Sequence, residues 1–241
     1  MRTDAFLDTI RADARALADA ARKDPDARVP SCPDWDVAAL VGHLGFVHRW
    51  AAAIVRSGAT SYPGDVETEQ PGDDLVGWFT EGATDLVDLL ASTPSDQPSW
   101  NHMRGEPVVG YWARRMAHET AIHRFDVQLA HDATTPIDTE LAVDGIDELV
   151  DIWLPKSLRK NPERTLGGTL HLHTTDTEGE WLVDVRDGAA HVTREHAKGD
   201  AAARGTASDL LLTLWGRLPT STLEVFGETA ILERWSDVVD T

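Results

Sequence analysis

Cysteine is almost missing from this chain: Cys32 stands alone among 241 residues. A single cysteine excludes an internal disulfide and every thiolate-rich zinc site, so a metal bound here has to be held by histidine and carboxylate. The same scarcity suits a reducing compartment. No uninterrupted apolar run approaches the roughly eighteen residues that a membrane span needs, and the N-terminus lacks the charged, apolar and small-residue order of a signal peptide. A cytoplasmic protein is the expectation. Basic residues are also in short supply, 22 Lys and Arg against 41 Asp and Glu, for a net charge of −19. Phosphate-backbone binding needs clustered Lys and Arg, so neither nucleic acid nor a membrane is an expected partner.

What the chain does have is ordinary apolar content, 41%, and nine tryptophans, enough for a real core with several large buried rings. Phe6, Leu7, Ile10, Ala14, Leu17 and Ala21 recur at helical spacing over residues 3–23. Two prolines in VPSCPDWD forbid a helix until Asp36, whose side chain can cap the next one. That helix runs from Val37 to Arg56, with Leu40, Val41, Leu44, Val47, Ala51 and Ile54 on its apolar side. A Gly, Pro and acidic loop from Ser57 to Gly72 precedes a third helix, Leu75 to Leu90, and a polar link with Trp100, His102 and Arg104 precedes a fourth, Tyr111 to His131. Four helices joined by loops pack naturally as an up-and-down bundle.

Beyond Pro136 the texture changes. A fifth helix, Glu140 to Leu154, and a basic loop lead into period-two segments at Thr169–Thr174, Glu180–Arg186 and Ala189–Thr193. Asp187-Gly188 between the last two is a two-residue hairpin turn. A helix at Ala207–Trp215, a short strand at Thr222–Phe226 and a closing helix at Thr229–Ser236 complete a small α+β domain. The expected fold class is therefore α+β, a helical bundle over residues 1–138 followed by an α+β domain over 139–241.

The stretch YWARRMAHETAIHRFDVQLAH carries the chemistry. Trp112, Met116, Val127 and Ala130 form an apolar stripe at 100° per residue, and Glu119 and His123 land in the middle of it. Four residues apart, they project from the same side of the helix. Buried without partners they would cost several kcal/mol, so a metal, an arginine or a hydrogen-bond network has to compensate them. A catalytic zinc commonly takes three protein ligands and keeps one position open, and the second helix offers His43 or His48 as the third. His118 beside Glu119 resembles the start of a zinc-protease motif, but the histidines are five residues apart and point to different faces.

The segments CPDWDVAALVGHL, RRMAHETAIHRFD, GTASDLLLTLWGR and VFGE together resemble the mycothiol-dependent maleylpyruvate isomerase family, part of a broader group of DinB-like metal-binding four-helix bundles. The resemblance implies zinc held by His43, Glu119 and His123, with His48 as fallback, and carries the family's C-terminal arginine onto Arg217. It also implies mycothiol as the thiol cosubstrate. Zinc holds a thiol as its thiolate at neutral pH, and the chain has no suitable cysteine of its own. The expected activity is thiol transfer to, or isomerisation of, an electrophilic small molecule, with Arg217 gripping a substrate carboxylate. The rival readings are a metal-containing protein of the same fold that binds or senses a ligand without catalysis, and an interaction module with no metal.

Other polar residues read more plainly. Asp126, near His123 on the helix, can accept a hydrogen bond from its imidazole. His171 and His173 share one strand face, where a solvated surface is the simpler reading and a second metal the sharper one. Cys32 reads as a packing residue, Trp35 as a plug at the bundle end and Trp215 as packing for the second domain. His102 and Arg104 read as solvent-exposed.

Overall fold

The computed structural model describes residues 1–103 and 106–240. The chain divides into two compact units, Met1–Thr135 and Pro136–Thr241. Four helices build the first: α1 (Thr3–Ala21), α2 (Val37–Ser57), α3 (Leu75–Ser92) and α4 (Val109–Leu129). Asp36 caps α2 by accepting from the Ala39 amide, and Asp74 caps α3 by accepting from Gly77. Gly58, at φ 63°, ends α2 in the left-handed conformation that a residue with a β-carbon adopts at a cost.

Around the bundle, α1 packs on α3 and α4, and α2 packs on the same two from the other side. The α1–α2 connection therefore links opposite corners, and it lays Ala27, Cys32 and Trp35 against the core built by Leu17, Leu40, Leu44 and Phe79. Cys32 is half-buried in that layer, as a packing residue should be. By length and composition α2 could cross a membrane, and half of its apolar window is buried within the protein, as in the core helix of a bundle.

The stripe read along α4 proves too narrow. Arg115, His118, Arg124, Asp126 and Gln128 are buried together with Trp112, Met116 and Val127, so nearly every face of this helix is covered. A helix covered on all sides does not separate polar from apolar positions. Arg124, for example, is satisfied by Asp13, Gln128 and Thr135.

Gly45 marks a close approach of α2 to α3: a β-carbon there would be driven into the buried indole of Trp78. Arg49, whose guanidinium lies 4.0 Å over the same ring, helps to hold it in place. Gly45→Ala is accordingly expected to destabilise the protein by about 1–3 kcal/mol, although alanine is the better helix former. Urea denaturation checks this, and a higher midpoint for the variant would contradict it.

The second unit opens with α5 (Thr139–Glu148), capped by Asp138. The fifth helix does not stop at Leu154 as its pattern suggests. It passes through a π-turn, Leu149–Trp153, in which the Leu154 amide donates to the Leu149 carbonyl, and continues as α6 (Leu154–Lys160). Pro155 has no N–H to give and its ring crowds the carbonyl four residues back; the wider turn, placed directly before it, relieves that conflict.

The sheet that follows contains β1 (Thr169–Thr174), β2 (Glu180–Arg186), β3 (Ala189–Thr193), β4 (Ala201–Gly205) and β5 (Glu224–Gly227) in the order β3-β2-β1-β4-β5. Asp187 and Gly188, with φ of 53° and 72°, make the hairpin turn between β2 and β3. β4, absent from the reading of the sequence, pairs parallel to β1 and makes the sheet mixed. α7 (Ala207–Leu214), capped by Thr206, follows directly from β4, and α8 (Thr229–Glu233) and α9 (Trp235–Val238) close the unit. Trp215 is buried with its ring 5.2 Å from that of Trp153, so it does pack this unit.

Candidate metal centre

Two segments of the bundle supply the centre. α4 holds Glu119 and His123 one turn apart, and α2 brings His43 across from them. Glu119 divides its oxygens: Oε2 accepts from Arg115 Nη2 at 2.7 Å, while Oε1 lies 3.4 Å from His123 Nε2 and 3.7 Å from His43 Nε2. The tetrahedral edge of a zinc site with ligands at about 2.05 Å is about 3.3 Å. Both separations are near that edge, and the three donor atoms all lie within 4.8 Å of one another, an arrangement that could hold a divalent ion. The two imidazole rings stand nearly perpendicular, their centres 5.4 Å apart.

Two of the donors are held from behind, Glu119 by Arg115 and His123 by Asp126. His123 Nδ1 lies 3.0 Å from Asp126 Oδ2, and Asp126, fully buried, accepts through its other oxygen from Ser31 Oγ at 2.6 Å. A carboxylate behind a ligating imidazole fixes the tautomer that leaves Nε2 free to face a metal. The Trp35 ring sits 4.8 Å from that of His43, so the bundle-end tryptophan borders the centre as well as the core. Side-chain exposure is 36% at His43 and 10% at His123, which makes the α2 side the approach from solvent.

The electrostatics follow from these contacts. Burial pulls the Glu119 carboxyl toward its neutral form, yet the Arg115 guanidinium and the hydrogen bonds from His123 and His43 hold it well below its ordinary range. Burial also opposes charge on His123, but the carboxylates of Asp126 and Glu119 outweigh it and raise its pKa to about 9.

His48 is placed otherwise. It is fully buried, and its Nε2 lies 2.9 Å from Thr120 Oγ1. Because the Thr120 hydroxyl already donates to the Met116 carbonyl at 2.6 Å, it accepts from His48 Nε2–H. Burial lowers the His48 pKa to about 3, and the ring stacks on Phe79. This is a neutral core histidine outside the group formed by His43, Glu119 and His123.

Arg217 belongs to the second unit, half-buried just after α7, with Nη1 donating to the Trp215 carbonyl at 2.8 Å. His102 is exposed and leans on Trp50, and Arg104 lies outside the described residues. Two supporting residues escaped the reading of the sequence. Arg115 sits one turn before Glu119, so i,i+4 pairing could have found it. Ser31 lies 95 positions from Asp126, and nothing local signals their meeting.

A DinB-like helical bundle followed by a unit with a mixed sheet makes this a two-unit α+β protein. The chain belongs to the mycothiol maleylpyruvate isomerase family: the model of that family's N-terminal domain matches residues 6–128, and that of its C-terminal domain matches residues 140–234. Among solved structures it is similar to a histidine-to-alanine mutant of mycothiol-dependent maleylpyruvate isomerase, at 13% identity and a TM-score of 0.58 over 95% of each chain. A double mutant of the sec-alkyl sulfatase PisA1 is 14% identical over 97% of this chain and 32% of the other; its TM-score of 0.33 carries no argument. Comparison with curated protein sequences gives no match.

Proposed function

We propose that the chain is an enzyme that uses mycothiol, with zinc held by His43, Glu119 and His123, to isomerise an electrophilic small molecule or to transfer the thiol to it. The observation that supports this best is the meeting of His43 Nε2, Glu119 Oε1 and His123 Nε2 at metal-ligand spacing, with Asp126 behind one imidazole. Zinc in such a site would supply a positive centre that keeps a bound thiol as its thiolate at neutral pH.

The remaining work falls to the chain's own side chains. Arg115 takes one oxygen of Glu119 and so presents the other toward the histidines. Asp126 orients His123, and Ser31 orients Asp126. Trp35 covers one side of His43 and restricts its ring. Arg217 is assigned to bind a substrate carboxylate through the planar fork of its guanidinium. Cys32, half-buried against the core, takes no part in the reaction, so the attacking sulfur comes from the cosubstrate.

The solved relative is named for maleylpyruvate, a carboxylate-bearing electrophile, and that compound heads the panel of substrates to try. Purified protein is expected to hold zinc in the bundle, one equivalent of which is lost in His43→Ala, and to consume mycothiol, or to isomerise the substrate in its presence, with Cys32→Ser fully active. Bound zinc with neither adduct nor isomerised product from any electrophile would favour a ligand-binding or sensing protein instead. Absence of metal would overturn both.

A further inference from the structure

The second unit carries a separate set of ligand-type side chains. His171 and His173 stand two residues apart on β1, and the antiparallel register sets His173 opposite Glu180 on β2. Side chains two apart on a strand share a face, so both imidazoles and the Glu180 carboxylate lie on one side of the sheet. His196, from the connection between β3 and β4, reaches the same point. One donor atom from each of the four lies within 4.8 Å of all the others.

Hydrogen bonding explains only part of this gathering. His173 Nδ1 and His196 Nδ1 lie 2.7 and 2.9 Å from the same oxygen, Glu180 Oε1. His171 Nε2 is 3.8 Å from Glu180 Oε2, beyond hydrogen-bond reach. His171 is only 6% exposed, and its Nε2 is buried with no hydrogen-bond partner. A buried polar atom left in that state costs about 1–3 kcal/mol. An ordinary histidine–glutamate network accounts for His173 and His196 and gives His171 only the 3.8 Å approach to Glu180 Oε2. Its ring centre lies 5.6 Å from that of His196 and 6.1 Å from that of His173, so three imidazoles surround one carboxylate.

We propose that His171, His173, Glu180 and His196 form a second zinc site, structural rather than catalytic, that fastens the β3–β4 connection onto strands β1 and β2. Three imidazole nitrogens and one carboxylate oxygen make a full tetrahedral shell of the donors that zinc prefers, with no position left for substrate. Reaching the tetrahedral edge of about 3.3 Å takes side-chain rotations that open the 2.7 and 2.9 Å approaches to Glu180 Oε1 and close the wider separations, all within 4.8 Å; His196, whose side chain is 81% exposed, has room to make them. The ion would supply the partner that His171 Nε2 lacks. It would also tie residues 194–200 to the sheet directly before β4, the strand that pairs parallel to β1.

The test is zinc stoichiometry on the full chain after equilibrium dialysis, with two double variants that separate the centres. Wild type is expected to retain two equivalents. His43→Ala with Glu119→Gln should retain one, and His173→Ala with His196→Ala should retain one. Because His196 is exposed, its replacement leaves the core intact; should the His173 change disturb folding, His196→Ala alone serves, with a weaker second binding event in calorimetry. Copper(II) substituted into the His43/Glu119 double variant gives an independent signature, nitrogen hyperfine structure from several imidazoles that the His196 change reduces. Limited proteolysis within residues 194–200 should slow on adding zinc to wild type and not to the His173/His196 variant. The proposal is overturned if the His43/Glu119 variant binds no zinc, or if the equivalent it retains survives loss of His173 and His196. Neither result bears on the centre in the bundle, which the other double variant reports.

Discussion

Glu119→Gln is expected to lower zinc affinity in the bundle by more than about 100-fold, beyond the 10–100-fold typical of losing a supporting residue, and to abolish thiol-dependent activity with it. The amide keeps the shape of the side chain but removes the one negative charge placed between His43 and His123, whose nitrogens lie 3.7 and 3.4 Å from Oε1. It also withdraws an anion from Arg115, which is 2% exposed. Breaking one side of a buried ion pair costs up to about 3–5 kcal/mol, so a fall in denaturation midpoint should accompany the loss of metal. His43→Ala separates the two effects: it should lose zinc similarly while leaving the Arg115–Glu119 pair in place. Asp126→Asn should fall between, weakening zinc by about 10–100-fold because only the support of His123 is altered. His48→Ala should retain zinc, since that imidazole is engaged with Thr120. Metal analysis and calorimetry on the four variants, each made in the His173→Ala, His196→Ala background so that only the bundle centre is counted, decide the matter: zinc retained with His43→Ala but lost with His48→Ala would reverse the ligand assignment.

The helices were legible because their patterns are local. Asp36 caps α2 where the sequence reading puts a cap, and the apolar spacing of α2 and α3 points to the buried sides. β4 was not legible. Ala201-Ala202-Ala203-Arg204-Gly205 has no β-branched or aromatic residue, and it is a strand because β1 and β5 pair with it on either side. The π-turn was hidden for a related reason: Pro155 reads as a stop, and only the widened turn before it lets the helix continue. At the bundle centre, Glu119, His123 and Asp126 were visible as polar residues at helical spacing, whereas the choice between His43 and His48 was not. Both lie on one helix of ordinary periodicity, and Thr120, which engages His48, is 72 positions away. The cluster on the sheet was half legible. Alternation gives His171 and His173, strand register adds Glu180, and His196 arrives from a connection whose path no local pattern dictates.

Zinc binding in the bundle should strengthen steeply with pH, because the metal-free site holds a proton that the metal must displace. With a pKa of about 9, His123 is imidazolium at neutral pH, its charge balanced by Asp126 and Glu119. A ligating imidazole is neutral at the metal, so uptake releases close to one proton at pH 7. The apparent affinity should therefore rise nearly tenfold per pH unit from pH 7 and flatten above about pH 9, about 50-fold between pH 7 and 9 and about 100-fold at the plateau. Stability of the chelated protein should move the other way. The His123 pKa is raised from an ordinary 6.5 to about 9, so the stabilisation it brings is complete below 6.5 and disappears as pH rises through 9. His48, lowered from 6.5 to about 3, contributes the opposite slope on the acid side: below 6.5 the unfolded chain takes up a proton that the folded state refuses. Between pH 6.5 and 9 the melting midpoint of chelated protein should fall while the gap to the zinc-loaded form widens. Calorimetry in buffers of different ionisation enthalpy counts the protons released at the bundle site when run on the His173/His196 double variant. A gap that stays constant with pH, or a count near zero at pH 7, would mean that His123 is not the imidazole that meets the metal.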